Sequence, residues 1–382
     1  MRDINSKVLS VINRGENATL IFVPNAGRNW VMSRLDFGEP GKYKVIRIEK
    51  ERLISEDSVD FYRLMAEELG IVGAGDDLGS IFNKIEAEIK RLLSGGIQII
   101  IILVDFESLH YPLSVWNNMV YLWRKNKVLI HYIFGVNRDI FDGESLTKLG
   151  KVAELVGQNK IYYPLYSKEE SNGVIADFVR RYGYKIKKEK GEAIWKITGG
   201  HPYLIKVFLR GLSLKSCWEV KKVFNDILES VGGKDKRLMG LLAAGGKVED
   251  KYFSDFVRQN GLVKKGKLFL RMFEEYIKNK KLIDKMRLEF DEKRGEIVAG
   301  GVVVSDIFSL NEYQLLRGFL ESRGRVISRE EVARVLWGKR ADVKYSDWAI
   351  DKMVGSLRKK MAEESIGNRI QTVRGRGYRL IN

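Results

Sequence analysis

Arginine alternates with glycine near the end of the sequence, in Thr372-Val373-Arg374-Gly375-Arg376-Gly377-Tyr378-Arg379-Leu380. Glycine suits the turn of a β-hairpin, and a hairpin with arginine at its tip has the shape and charge to enter a narrow DNA groove. A plain, solvated basic hairpin is the alternative. The pattern favours a basic wing that binds nucleic acid.

A helix over residues 346–360 is predicted just before this hairpin. The apolar residues recur at i, i+3, i+4 and i+7, which is the spacing of one buried face: Ile350, Met353, Val354 and Leu357. The rest of the helix presents polar and basic residues: Lys352, Ser356, Lys359 and Lys360. A helix of this kind beside a basic wing is typical of a reader of the DNA major groove.

Residues 286–382 resemble the winged-helix effector domain of OmpR/PhoB-type response regulators. Motifs in the family's order are strands at 286–290 and 301–304, a helix start at 308–316, a positioning helix at 324–338, and a recognition helix and wing at 350–358 and 373–375. Two helix starts have the capping-box pattern, Ser309 with Glu312 and Ser328 with Glu331. The resemblance implies an α+β winged helix-turn-helix that binds double-stranded DNA.

The resemblance also assigns individual contacts. It places Lys352, Met353, Gly355 and Ser356 against bases, although Met353 also fits the buried face. It places Arg358 on a phosphate and Arg374 in the minor groove. The remaining predicted contacts are basic: Lys359, Lys360 and Arg376. Since the family has polar or basic residues where this chain has Met353 and Gly355, we expect sparse base reading, partly against thymine methyl groups, and a contribution from DNA shape.

The composition agrees with a polyanionic partner. The chain has 382 residues and a net charge of +17, and the excess of basic residues is not confined to residues 285–382. Upstream basic residues either contact DNA as well or form a soluble lysine-rich surface. The single cysteine, Cys217, excludes an internal disulfide, and the three histidines show no metal-ligand spacing. No leader or membrane-spanning segment is predicted, so we expect a cytoplasmic protein that does not bind membranes.

Residues 1–214 alternate apolar strands with helices, which predicts a parallel α/β sheet covered on both faces. The strands are expected at 19–24, 43–48, 97–104 and 128–135, and helices at 31–35, 58–69 and 78–93. The later segment Thr198-Gly199-Gly200-His201-Pro202-Tyr203-Leu204 resembles the start of the lid helix in AAA-like ATPases of the STAND and origin-recognition branch. That resemblance covers about residues 9–214 and implies a nucleotide-binding fold with a lid.

The residues that would bind nucleotide depart from the P-loop pattern of that fold. When the chain is aligned with that pattern, Phe22 stands at the first glycine and Gly27 at the second. Arg28 then takes the place of the lysine, and Asn29 that of the residue with the magnesium-binding hydroxyl. Asp105 fits either the metal-binding aspartate or the catalytic glutamate, and neither register preserves an adjacent acidic pair. We therefore expect no enzymatic activity, no catalytic residue, no metal site and no cofactor. ATP with magnesium is the alternative, bound by Gly27, Arg28, Asn29 and Asp105.

The middle of the chain is predicted to form a second, smaller winged helix over residues 215–279, with the turn Lys264-Lys265-Gly266-Lys267 as its wing. This wing either contacts DNA or is solvated. Residues 280–285 are the predicted linker to the C-terminal domain, 286–382. No receiver domain is predicted, because the N-terminal half lacks the acidic cluster that follows the first strand of receivers.

Three functions follow. The first is a sequence-specific transcriptional regulator that acts as a homo-oligomer on DNA, with RNA polymerase as a further partner and the AAA-like region as an inactive sensing or assembly platform. The second is an ATP-dependent STAND-type switch that couples nucleotide state to DNA binding. The third is a non-enzymatic scaffold whose winged helices bind protein.

Overall fold

The structure, a computed structural model, describes residues 4–38, 41–53, 55, 57–73, 75, 77–106, 112–141, 143–183, 191–211, 218–280, 288–299, 302–322, 324–338, 346–363 and 370–381. These residues fall into two compact units, one within Met1–Gly232 and Ser254–Leu262, the other within Gly233–Phe253 and Val263–Asn382. The predicted domain limits after residues 214, 279 and 285 stay a prediction; the first and the last of them fall in segments 212–217 and 281–287, which lie outside the described part.

The helices follow one another along the chain as α1 (Ile4–Asn13), α2 (Arg28–Met32), α3 (Ser58–Leu69), α4 (Leu78–Ser94), α5 (Leu113–Lys125), α6 (Gly143–Leu149), α7 (Ala153–Val156), α8 (Lys168–Tyr182), α9 (Gly191–Thr198), α10 (Pro202–Leu209), α11 (Trp218–Ser230), α12 (Gly233–Ala243), α13 (Asp255–Gln259), α14 (Arg271–Asn279), α15 (Leu310–Glu321), α16 (Arg329–Trp337) and α17 (Asp347–Glu363). Short 3-10 turns lie at Lys50–Arg52, Gly150–Val152, Asp250–Tyr252 and Ser305–Ile307. None of the helices in the described part of the chain combines the length and the apolar character that crossing a lipid bilayer requires.

The first unit is built on a parallel sheet. Its strands are β1 (Ala18–Phe22), β2 (Tyr43–Ile48), β3 (Gln98–Leu103), β4 (Ile130–Val136) and β5 (Lys160–Tyr163), in the order β2-β3-β4-β1-β5. Every residue of β1 and β4 is buried, as expected for strands with a covered face on each side. The predicted α/β fold with a central parallel sheet is confirmed.

Local capping sets where several helices of this unit begin. The Asp57 side chain accepts a hydrogen bond from the Asp60 amide at the start of α3, and the Asp77 side chain does the same for Ser80 at α4. At α8, Ser167 and Glu170 form a capping box. Each cap satisfies amide groups that the first helical turn leaves without a backbone partner.

Some elements differ from their predicted positions. Helix α2 begins at Arg28 and ends at Met32, earlier than the predicted 31–35, because Gly27 takes up a left-handed conformation, with φ of 93°, directly before it. Strands β5 and β9 (Glu296–Ala299) were not predicted, since both are short and mix polar with apolar residues.

The second unit contains the predicted small hairpin and the C-terminal winged helix. Strands β6 (Val263–Lys264) and β7 (Lys267–Leu268) pair antiparallel, and the carboxylate of Asp250 accepts hydrogen bonds from the amides of Lys265 and Gly266 in their turn. Further along, β8 (Leu288–Asp291), β9 and β10 (Val302–Val303) form an antiparallel sheet in the order β10-β9-β8. Strands β11 (Ile370–Val373) and β12 (Gly377–Leu380) form the wing.

The C-terminal domain has its own hydrophobic core, formed by Leu288, Ile297, Val304, Phe308, Leu315, Leu316, Phe319, Ile327, Val332, Ala333, Leu336, Ile350, Val354, Leu357, Met361, Ile370, Tyr378 and Leu380. Both predicted capping boxes are present, at Ser309 with Glu312 and at Ser328 with Glu331. The predicted winged-helix architecture is therefore confirmed, with α16 and α17 as its helix-turn-helix pair.

The wing is attached to the rest of the domain through a close backbone approach at Gly377. The amide of Ile327 donates to the carbonyl of Tyr378 at 2.9 Å, and the amide of Tyr378 donates back at 3.0 Å. Gly377 has φ of 126°, and a Cβ at this position would lie 2.0 Å from the carbonyl oxygen of Ile327. Only glycine allows this approach.

We expect Gly377→Ala to detach β12 from Ile327, because the added methyl group and the two hydrogen bonds cannot coexist. The local free energy of opening should fall by about 3 kcal/mol. Hydrogen exchange at the Ile327 and Tyr378 amides of the full chain measures this change. Gly375→Ala is the matched control, because Gly375 also has a positive φ but faces open space. Equal protection in the two variants would contradict the prediction.

Candidate functional site

Helix α17 has one buried face and one exposed face. Its fully buried residues are Ile350, Val354, Leu357 and Met361. Its opposite side is formed by exposed residues: Trp348, Lys352, Gly355 and Lys359. The Lys352 ammonium lies 4.9 Å from the centre of the Trp348 ring. The predicted contact residues Lys352, Gly355 and Lys359 therefore share one accessible surface, whereas Met353 is half-buried and packs against the core.

Ser356, at the edge of this surface, is bound to helix α15. Its hydroxyl donates to Oε1 of Glu312 at 2.8 Å. Oε2 of Glu312 accepts from the Ser309 amide at 3.0 Å and from the Ser309 hydroxyl at 2.9 Å. Burial raises the pKa of Glu312, but the hydrogen bonds from Ser356 and Ser309 outweigh it, so this pKa lies below its usual value. The carboxylate is therefore ionised at neutral pH.

Arg358 joins α17 to the wing. Its Nε donates to the carbonyl of Ile370 at 3.0 Å, and one terminal nitrogen donates to the Thr372 hydroxyl at 2.7 Å. Its guanidinium also lies 5.8 Å from the centre of the Tyr378 ring. The residue predicted to bind phosphate is thus held at the first strand of the wing. Lys360, another predicted contact, is half-buried on α17.

A carboxylate on α17 connects the wing to α16. The hydroxyl of Tyr378 donates to Asp351, and a terminal nitrogen of Arg329 donates to the same carboxylate at 3.1 Å. The Arg329 guanidinium lies 5.6 Å from the Tyr378 ring centre. The Tyr378 hydrogen bond, and then Arg329, lower the pKa of Asp351, while burial and the carboxylate raise the pKa of Tyr378 to about 12.

Asp351, Arg329 and Tyr378 had no predicted role in the site. Arg329 lies 22 residues before Asp351, and Tyr378 lies 27 residues after it. No helical or strand periodicity spans such separations. The one available signal was an acidic residue in a helix that was predicted to approach DNA, a placement that calls for a cationic partner.

The tip of the wing carries two cationic side chains. Arg374 and Arg376 are exposed in the turn between β11 and β12, and the Arg376 amide closes that turn on the Val373 carbonyl at 3.0 Å. Neither guanidinium pairs with an acidic side chain of the described residues. Both predicted wing arginines therefore present their charge outward.

In the first unit, the residues predicted to bind nucleotide meet at the carboxyl ends of β1 and β3. The guanidinium of Arg28 forms an ion pair with Asp105, and both side chains are about one-tenth exposed. Its Nε also donates to the exposed Asn29 side chain at 3.3 Å. Gly27 precedes them as the N-cap of α2. Phe22, at the position of the first P-loop glycine, is buried at the end of β1 and contacts the Tyr163 ring.

His201 holds the loop between β1 and α2. Its Nε2 donates to the carbonyl of Pro24 at 2.9 Å, and the imidazole is fully buried. Burial lowers the pKa of His201 to about 4. The preceding Gly200 lies against Tyr166, where an added Cβ would be 2.1 Å from a carbonyl oxygen. The predicted restart of a helix after His201 is confirmed, with Pro202 in the first turn of α10.

The C-terminal part of the chain matches a known family. Residues 307–380 match the family model described as "Transcriptional regulatory protein, C terminal". Among curated proteins, the chain is 38% identical over 69 residues to the phosphate regulon transcriptional regulatory protein PhoB of Rhizobium meliloti. It is 34% identical over 73 residues to the uncharacterised transcriptional regulatory protein YvcP of Bacillus subtilis. These matches cover 18% and 19% of this chain and 30% of the length of each relative.

Solved structures similar to the chain come from AAA+ ATPases. The ADP form of the Aeropyrum pernix ORC2 protein is 12% identical, with a TM-score of 0.41, over 83% of this chain and 91% of that one. The Aeropyrum pernix ORC1 protein in complex with DNA is 13% identical, with a TM-score of 0.40, over 98% and 86%. The Walker-type ATPase paby2304 of Pyrococcus abyssi is 12% identical, with a TM-score of 0.40, over 78% and 93%. These likenesses concern the fold.

One sequence-based prediction is corrected by these comparisons. From the altered P-loop pattern we expected that the protein is not an enzyme. That expectation is wrong as an exclusion, because the structures with a similar fold include an ADP form and a Walker-type ATPase. The substitutions at Phe22, Arg28 and Asn29 do not by themselves rule out ATPase activity.

We expect the ion pair of Arg28 and Asp105 to be a stabilising element of the first unit. Arg28→Ala leaves the Asp105 carboxylate buried without this partner and should lower the free energy of unfolding by about 3–5 kcal/mol, whereas Arg28→Met with Asp105→Leu should recover most of the loss. Urea denaturation measures both. Arg180→Ala breaks the exposed pair with Asp177 and should change stability by less than about 1 kcal/mol. A similar small change in Arg28→Ala would contradict the prediction.

The buried imidazole of His201 should make the first unit less stable in acid. Its pKa falls from 6.5 to about 4 on folding, so the unfolded chain binds more protons within this range and stability decreases as pH drops through it. The loss should reach about 3 kcal/mol. Denaturation midpoints between pH 7 and pH 4 test this against His201→Gln, which keeps a donor for the Pro24 carbonyl but does not titrate. Identical pH profiles would refute it.

Proposed function

We propose that this protein is a sequence-specific DNA-binding transcriptional regulator. The observation that carries the proposal is the joint surface of α17 and the wing, where Lys352, Lys359, Arg374 and Arg376 are exposed. The network around Asp351 holds these two elements together. The family match of residues 307–380 supports the same function.

In the proposed complex, α17 lies in the major groove and the wing enters the minor groove. Helix α17 has 17 residues and a length of about 25 Å, and the B-DNA major groove, about 12 Å wide, admits a helix. Lys352 and Lys359 lie on its outer side, so they approach bases and phosphates. Arg374 supplies positive charge at the wing, and the negative potential of a narrow A·T-rich minor groove attracts that charge.

The first unit serves, in this proposal, as a platform that senses a signal or assembles protomers. Homo-oligomers would occupy half-sites about 10 bp apart, one turn of B-DNA. RNA polymerase is the further partner that a transcriptional regulator would contact.

A second candidate function is an ATP-dependent switch that controls DNA binding. It is favoured by the convergence of Gly27, Arg28, Asn29 and Asp105 at the carboxyl ends of parallel strands, where α/β sheets bind their ligands. Nucleotide binding would have to separate Arg28 from Asp105. Magnesium-dependent hydrolysis of ATP by the full chain, together with a change in DNA affinity, would support the switch. Equal DNA affinity with and without ATP would eliminate it.

Selection of bound sequences from random duplex DNA tests the main proposal, with the intact chain as the protein. We expect one enriched motif with an A·T preference at the wing position. Arg374→Ala should weaken binding about 10-fold, a change of about 1.4 kcal/mol, and reduce this preference, because it removes the minor-groove charge.

Arg294→Ala is the matched control for Arg374→Ala, since Arg294 is an exposed arginine in the turn between β8 and β9 of the same domain. It should leave the motif and the affinity unchanged. Binding without sequence preference that disappears at moderate salt would refute the proposal and favour a protein-binding scaffold.

A further inference from the structure

The hydroxyl group of Ser356 has a fixed hydrogen-bond partner inside the protein. It donates to Oε1 of Glu312 at 2.8 Å, although Ser356 itself is exposed on the recognition helix. A serine hydroxyl has a single proton to donate and two lone pairs that accept. An ionised carboxylate only accepts, so the proton of Ser356 points at Glu312 and not at solvent.

Glu312 is held in this orientation from its other side. Its second oxygen, Oε2, accepts from both the amide and the hydroxyl of Ser309 in the capping box of α15. The residue is buried to a relative exposure of 9%, so rotation away from Ser356 would leave a buried carboxylate oxygen without its donor. The two oxygens have separate partners, Ser309 on one side and Ser356 on the other.

We propose that Ser356 acts toward DNA as a hydrogen-bond acceptor only, and that Glu312 sets this polarity. In the major groove, an acceptor can pair with the amino group of adenine at N6 or of cytosine at N4. Adenine also presents an acceptor at N7, whereas guanine presents only the acceptors N7 and O6 and thymine only O4. The protein then selects adenine or cytosine at one position of its site. This inference rests on the proposed function, because it assumes that α17 reads DNA.

Glu312 is a positioning residue here, since it acts through Ser356 and does not touch the base. Glu312→Gln tests that role. The Ser309 amide needs an acceptor, so the carbonyl oxygen of the new side chain stays with Ser309 and its NH2 group turns to Ser356. That NH2 group donates to the serine oxygen, which releases the serine proton toward DNA. Because guanine and thymine present acceptors to this proton in the major groove, their exclusion at this position should be lost.

The experiment is selection from random duplex DNA with four full-length proteins: wild type, Ser356→Ala, Glu312→Gln and Lys352→Ala. Ser356→Ala should bind all four bases at the position about equally, and Glu312→Gln should bind guanine and thymine there more tightly than Ser356→Ala does. Lys352→Ala, the control on the same helix face, should weaken binding but keep the selected base. Circular dichroism of each variant verifies the fold, and Ser356→Ala tests the contact even if Glu312→Gln does not fold.

A chemical probe isolates the hydrogen bond. If the selected base is adenine, its replacement by 2′-deoxynebularine removes only the N6 amino group; if it is cytosine, a pyrimidin-2-one nucleoside removes the N4 amino group. Wild type should lose about 3- to 10-fold in affinity, the range expected for one hydrogen bond. Ser356→Ala should lose nothing.

The possible results separate this inference from the proposed function. If the position relaxed by Ser356→Ala is guanine or thymine in the wild-type motif, the acceptor role of Ser356 is overturned. The proposed function as a transcriptional regulator is not affected by that result. An unchanged base preference in folded Glu312→Gln overturns the positioning role of Glu312. The absence of any wild-type motif overturns the proposed function, and this inference with it.

Discussion

The geometry of the C-terminal domain depends on the hydrogen bonds that the Asp351 carboxylate accepts. It accepts hydrogen bonds from Tyr378 in the second wing strand and from Arg329 in the first turn of α16, while Asp351 itself lies on α17. Three elements that are distant in sequence thereby have a common point of attachment. An acidic group on a surface that faces DNA would repel phosphates, but here the Arg329 guanidinium compensates its charge.

In the same domain, some basic side chains bind groups within the protein and others extend outward. Arg329 and Arg358 are used within the protein, the first on Asp351 and the second on β11. Arg374 and Arg376 extend outward from the wing, and Lys352 extends from α17. The internal arginines join α17 to α16 and to the wing, so that in the proposed complex the outer cations are positioned without a large loss of conformational freedom.

In the first unit, the loop between β1 and α2, which departs from the P-loop pattern, is stabilised by its own side chains. Arg28 and Asp105 neutralise each other where a P-loop protein would place phosphates and magnesium, and His201 holds the loop through the Pro24 carbonyl. Each contact joins an element after one strand to an element far along the chain. The loop is therefore well defined, and any ligand must compete with an ion pair that is already largely desolvated.

Local sequence alone determined a large part of this protein. The periodicity of Ile350, Val354 and Leu357, the capping pairs, and the glycine-arginine wing were sufficient to predict the C-terminal fold and its basic surface, because these signals act within a few residues. The alternating strands and helices likewise predicted the parallel sheet. Short mixed strands such as β5 and β9 were missed because each has too few residues to show the two-residue alternation of a strand.

The tertiary structure alone decided how the side chains pair. No local pattern could show that Ser356 donates to Glu312, 44 residues earlier, or that Arg28 reaches Asp105 across 77 residues. Hydrogen bonds and ion pairs depend on distances of a few ångströms, which only the folded chain defines. The sequence thus determined which polar and basic residues lie on the helix and the wing, and the fold decided which of their donors and acceptors already have a partner within the protein.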